Sequence, residues 1–229
     1  MPRIAPWLLV LFSLVAVLGC SRGPSTLAKP NFKDNVEYKE DPQAKEIRAF
    51  YQRFKDAVVQ QDADAVLKLS DGSTLRWFQT ALDTASSRKK GDLEKLDLQS
   101  QMFVLFLRYK RNEKQLKEMD AKRVLQEIYL SKEWLGKFEQ IDVGLVNVKD
   151  DRTVTATSTV QPNQVVMEFG KENGEWKYRF EASHLLLGKT VKEVAQQQMR
   201  SDREILMDLL HQIRVFPNES IFDGPIEGK

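Results

Sequence analysis

The side chains most able to do chemistry are few and scattered. Three acidic residues, Asp142, Glu168 and Glu181, fall in segments patterned as strands. A carboxylate in a pocket can serve as general acid or base. Simpler accounts exist for two of them. Glu168 faces Arg179 across a hairpin as a cross-strand ion pair. Asp142 lies between the inward-facing Ile141 and Val143, so strand parity turns it outward. His184 closes the last strand and is either a general base or a surface histidine, with no second residue beside it to support catalysis. Tyr178 lies on the apolar face, where its hydroxyl either enters a pocket or makes one hydrogen bond in the core. The two histidines, His184 and His211, have no HxxxH or HxH spacing, and there is one cysteine. A zinc site is therefore not expected. GxSxG, GxGxxG, HExxH and P-loop patterns are absent, and no cofactor is expected.

The elements that would position these residues begin with helices. Asp41-Pro42 is a helix start, because Asp caps and Pro lacks an N–H that would go unused. Ile47, Phe50, Tyr51, Phe54, Ala57 and Val58 then recur at steps of three and four, predicting a helix to about Gln61. Asp62 caps a short second helix, and Asp71-Gly72 breaks it. Ser73 or Thr74 caps a third, with Leu75, Phe78, Leu82 and Ala85 on one face. Arg88 to Gly91 reads as a basic helix end with a glycine stop, or as a contact for anionic lipid or an acidic partner. Asp92 to Lys110 is apolar on every side around Met102 to Leu107, so it is expected to be buried on more than one face. Asp120 caps a further helix ending near Trp134 and Gly136. Arg108, Lys110, Arg111, Lys114, Lys117, Lys122 and Arg123 form a basic run interleaved with acids, read as a solvated face.

After Gly136 the apolar period changes to two. Ile141, Val143 and Leu145 alternate, then Val146 and Val148 shift parity, which predicts a bulge near Gly144. Val154, Ala156, Ser158 and Val160 line one face of the next strand, and Gln161-Pro162-Asn163 turns. Val165, Met167 and Phe169 begin a hairpin closed by Asn173-Gly174. That turn pairs Phe169 with Tyr178, Lys171 with Trp176 and Met167 with Phe180. The fold class is α+β, with helices covering a curved antiparallel four-strand meander.

Ile47-Arg48-Ala49-Phe50-Tyr51, Asp62 to Val66, and Val165 to Phe180 with its Gly174-Glu175-Trp176-Lys177 hairpin together resemble the ketosteroid-isomerase-like (NTF2-like, SnoaL-like) superfamily. The resemblance spans roughly residues 42 to 187. It implies a cone with a pocket between helices and sheet, with Phe106, Phe169 and Tyr178 as candidate lining. Residues 188–229 are then a helical extension: Val191, Val194, Ala195 and Met199 form one stripe. A Ser201/Glu204 capping box leads into Ile205, Leu206, Leu209, Leu210 and Ile213, stopped by Pro217. Packing on its own domain is the default for this tail.

The N-terminal stretch carries the remaining signal. Arg3 precedes an apolar run from Trp7 to Leu18, about a dozen residues, shorter than the ~20 of a spanning helix and suited to a signal peptide. Val17-Leu18-Gly19-Cys20 resembles the bacterial lipoprotein signal. That resemblance implies cleavage before Cys20 and lipid on its thiol and new amino terminus, with Leu18 bulkier than usual for its place. The alternative is a free thiol after an ordinary secretory signal. Residues 1–19 read as signal peptide, 20–40 as a lipidated tether rich in Ser, Gly and Pro, and 41–187 as the domain. Ser21 favours the outer over the inner membrane, with the domain facing the periplasm.

The chain carries 35 basic and 33 acidic residues. Losing residues 1–19 removes only Arg3, so no net charge draws it to nucleic acid. Two classes of function remain. One is a cell-envelope lipoprotein whose domain binds an envelope protein or a small apolar ligand. The other is a small isomerase or dehydratase. The first is favoured because no acid/base pair converges in the sequence. An open pocket lined by two or more buried ionisable groups would favour the enzyme; one filled by Phe, Leu and Met would favour a scaffold.

Overall fold

The computed structural model describes residues 41–89, 91–135 and 138–225. Cys20 and the leader and tether lie outside them. Asp41 accepts a hydrogen bond from the Gln43 N–H and starts α1 (Pro42–Val59). Asp62 accepts from Ala65 and starts α2 (Ala63–Leu69). α3 (Ser73–Ser86) differs from expectation at its start: Gly72 takes the cap position, and Ser73 and Thr74 lie inside the helix. Its buried face carries Trp77, Phe78, Ala81, Leu82 and Ala85, whereas Leu75 points outward at 43 % exposure.

The core is built around α4 (Leu98–Lys110), capped by Asp97. Met102 to Leu107 are all essentially inaccessible, as expected for a segment apolar on every side. α5 (Glu113–Lys117) starts with an Asn112/Gln115 capping box. α6 (Ala121–Val124), capped by Asp120, opens into one π-helical turn over Leu125–Tyr129, and α7 (Lys132–Leu135) follows.

The fold is α+β, and its sheet is four antiparallel strands in the order β1-β2-β3-β4. They are β1 (Val143–Val148), β2 (Thr153–Ser158), β3 (Gln161–Glu172) and β4 (Glu175–Tyr178). The β1–β2 register slips between Val143 and Val146, which is the parity shift read from the sequence. At Gly144 an added Cβ would sit 2.4 Å from Thr157 Oγ1 and 3.0 Å from the Ser158 carbonyl oxygen, so a side chain there is excluded by close approach. The β2–β3 turn comes earlier than expected, at Thr159-Val160. Pro162 and Asn163 belong to β3 instead, where register shifts near Ser158 absorb the proline. Phe169 pairs with Tyr178 and Lys171 with Trp176, and Glu168 meets Arg179 at 2.9 Å.

The expected pair of Met167 with Phe180 does not form. The ladder ends at Tyr178, and Phe180 opens α8 (Phe180–Gln197). Arg179 still donates its N–H to the Glu168 carbonyl, and the Ser183 hydroxyl accepts the Glu168 N–H. The helix thus satisfies the strand edge that β4 leaves behind. The division expected at 187/188 falls inside α8. Gly188 on that helix passes so near the α4 cap that an added Cβ would lie 2.5 Å from Asp97 Oδ1. The Ser201/Glu204 capping box starts α9 (Asp202–Gln212), which packs on α4 and α8. Ile205, Leu206, Leu209 and Leu210 join the same apolar cluster as the helices and sheet. Met199 leaves its expected stripe and stands 94 % exposed.

One member of the expected solvated basic face is the opposite of solvated. Arg108 is 1 % exposed, and all five of its N–H donors reach backbone carbonyls. Nε donates to Ala85 at 3.2 Å, Nη2 to Thr84 at 3.0 Å and Ser87 at 2.9 Å, and Nη1 to Ile221 and Phe222 at 2.9 Å each. The cation therefore closes the carbonyl ends of α3 and of a 3-10 turn at Glu219–Phe222, where helix dipoles are negative.

Candidate functional site

A cavity of about 90 Å³ opens between helices and sheet. Its polar lining comes from five places. Tyr51 is carried by the apolar stripe of α1, Gln99 by the first turn of α4, and Tyr129 by the π-helical turn. Tyr178 comes from the end of β4 and His184 from the first turns of α8. Apolar wall is supplied by Trp134, Leu135, Phe138, Ile141, Val166, Met167 and Leu187.

His184 is only 3 % exposed, which corrects the reading of a surface residue at a strand end. Its ring stacks on Phe180 at 4.2 Å and tilts against Trp77 at 4.6 Å. Nδ1 lies 2.9 Å from the Phe180 carbonyl. A carbonyl only accepts, so Nδ1 carries the proton and Nε2 a lone pair. The Tyr129 hydroxyl, 3.3 Å away, donates to that lone pair. Burial pulls the imidazole down to about 4, partly offset by the Phe180 carbonyl, so the ring is neutral at pH 7. Burial likewise raises Tyr51 and Tyr129 well above the ordinary tyrosine value and pushes Tyr178 up to about 12. The Tyr51 hydroxyl donates to the Ile141 carbonyl over a long 3.4 Å.

Two buried ionisable groups, Tyr51 and His184, and two half-buried ones, Tyr129 and Tyr178, meet the numerical test for an enzyme but not the chemical one. At neutral pH His184 is too weak a base and the tyrosines are too weak as acids, because each is held in its uncharged form. Among the described residues no Asp, Glu, Lys or Arg lines this cavity. The acidic candidates are engaged elsewhere: Glu168 with Arg179, Asp142 with the buried Lys55 at 2.7 Å, and Glu181 with Arg76 at 3.6 Å. Among the described residues no group of three or more His, Cys, Asp or Glu is placed to hold a metal.

Of the lining candidates, Tyr178 borders the cavity, stacked on Phe54 at 4.6 Å. Phe106 and Phe169 do not border it. Both are fully buried, Phe106 against Trp134 at 4.9 Å and Phe169 edge-on to Phe50 at 6.0 Å. Tyr51 is legible in the sequence only as a member of an apolar stripe, and Tyr129 only as one more apolar residue, with Val124, Leu125 and Ile128, of the helix that Asp120 caps. Their hydroxyls were the available signal, since a buried tyrosine needs a partner for its polar end.

No family model, curated protein or solved structure matches the chain. Among the described residues no helix is long and apolar enough to cross a membrane.

Proposed function

We propose that this chain is a bacterial envelope lipoprotein whose domain holds a small apolar ligand between helices and sheet. The cavity is the observation that carries the binding half of this reading. Its wall is mostly apolar, and its few polar groups hydrogen-bond without titrating near neutrality, which suits holding a molecule rather than transforming it. The anchoring half rests on Val17-Leu18-Gly19-Cys20 at the end of an apolar leader. Several acyl chains at ~0.8 kcal/mol per buried CH₂ hold a protein stably, where one chain does not. On this reading residues 20–40 are the tether, the domain faces the periplasm, and the outer membrane is favoured by Ser21. The order of helices, hairpin and meander supports an NTF2-like cone as the scaffold.

The isomerase or dehydratase reading ranks second. The Tyr129–His184 pair is the one feature that favours it, and the depressed basicity of His184 weighs against it.

Each half has its own test. Cys20→Ala should leave the membrane fraction or stay unprocessed, and mass spectrometry of the mature start should show a thioether-linked lipid. An unmodified thiol would refute the anchor. For the cavity, the Met167 methyl is a local reporter. Toluene added to the full-length chain in lipid nanodiscs should shift its NMR signal, while that of the exposed Met199 stays still.

A further inference from the structure

We infer that the cavity is built for an uncharged molecule of about one ring that carries a hydroxyl, whose proton goes to the Tyr129 oxygen. This rests on the cavity being a ligand site. Three observations narrow the ligand.

Size comes first. An apolar protein cavity of ~150 Å³ accepts benzene. At about 90 Å³ this space is smaller than that, so it takes a short branched chain, or a single small ring that stays partly in the open mouth.

Charge comes next. Among the described residues none in the wall is ionised at neutral pH, so a carboxylate or ammonium entering it would lose water and meet no counter-ion from them. That costs several kcal/mol.

The last is the direction of the hydrogen bonds. His184 holds its proton on Nδ1 for the Phe180 carbonyl, so Tyr129 must spend its own proton on Nε2. The Tyr129 oxygen is left as an acceptor only. Tyr51 is the complement: its proton is tied to Ile141 at 3.4 Å, long enough to be given up to a ligand oxygen. A hydroxyl both donates and accepts, and so answers both tyrosines. A ketone or ether can accept from Tyr51, Gln99 or Tyr178 but has no proton for the Tyr129 oxygen, and a hydrocarbon answers none of them. A site built around a hydroxyl discriminates against an analogue lacking it, because its own polar groups are then left unpaired.

Three probes on one carbon skeleton test this: benzyl alcohol, toluene and benzoate, each titrated against the full-length chain in nanodiscs with the Met167 methyl as readout. Benzyl alcohol is expected to bind about tenfold tighter than toluene, the scale of one or two net hydrogen bonds, and benzoate at least tenfold weaker than the alcohol. Tyr51→Phe should narrow the gap between alcohol and toluene while leaving toluene unchanged. The order in the unaltered protein decides the matter by itself. Toluene binding as tightly as the alcohol, or benzoate matching it, would overturn the hydroxyl assignment while the apolar site stands. If no probe moves Met167, the ligand site itself is refuted.

Discussion

Arg108→Ala is expected to lower the stability of the domain by about 3–5 kcal/mol, the range for removing one member of a buried charged network. The mechanism is specific. Five carbonyls lose their donor together, and each buried acceptor left unpaired costs ~1–3 kcal/mol where water cannot reach it. Burial lowers the guanidinium only to about 10, so it is charged throughout the neutral range and no pH near 7 relieves the site. Against a typical total of ~5–15 kcal/mol, the loss should bring the melting point down by roughly 10 °C or more. Arg108→Met separates the causes, since it fills most of the volume but donates nothing. It should be nearly as unstable as the alanine. Arg108→Lys keeps the charge with three donors in place of the fork, and should fall between. Denaturant titration reads all three. A methionine variant as stable as the parent would mean that the carbonyls have other donors.

The second large effect is acid sensitivity from His184. Its pKa is about 4 in the folded chain against ~6.5 when unfolded. Above pH 6.5 the ring is neutral in both states and contributes no slope. As pH falls from 6.5 to 4 the unfolded chain takes up a proton that the folded one refuses, so stability drops. The drop totals about 3 kcal/mol and levels off below pH 4. Carboxylates add their own slope at lower pH, so the measurement is a difference: urea midpoints from pH 7.5 to 4 for the parent and for His184→Gln. The variant should be flatter between pH 6.5 and 4.5. Parallel curves would show that the ring is protonated in place. Tyr129, Trp77 and Phe180 surround the ring; the Phe180 carbonyl and the Asp97 carboxylate favour the cation, but burial outweighs both.

Much of the fold was legible because local signals and global packing agree. Asp41, Asp62, Asp120 and Ser201 each cap the helix the sequence assigned to them. Asn173-Gly174 sets the hairpin register, and the parity slip at Gly144 is a real irregularity in the ladder. The errors have physical causes. Phe169 to Phe180 alternates well enough to extend β4. The residues after Phe180, Glu-Ala-Ser-His-Leu-Leu-Leu, contain no β-branched side chain, and that run, rich in Glu, Ala and Leu, decides the matter. Arg108 was read with its charged neighbours because sequence shows charge but not depth. Only the helix-end carbonyls brought to it in three dimensions make its burial tolerable. The cavity was half legible. Tyr178 was placed by strand parity, but Tyr51 and Tyr129 look like any aromatic on a buried stripe, and Phe106 and Phe169 fit a lining role as well as they fit a core.

The arginine cage also bears on when the protein can fold. Two of its carbonyls belong to Ile221 and Phe222, the first of them 113 residues beyond Arg108 in the chain. A ribosome therefore releases α4 long before its cation can be neutralised by those groups. Until then only three of its five donors can be met, by Thr84, Ala85 and Ser87 at the end of α3. Under the export proposed above, that delay would keep the polypeptide loose enough to thread a conduit that rejects a finished globule.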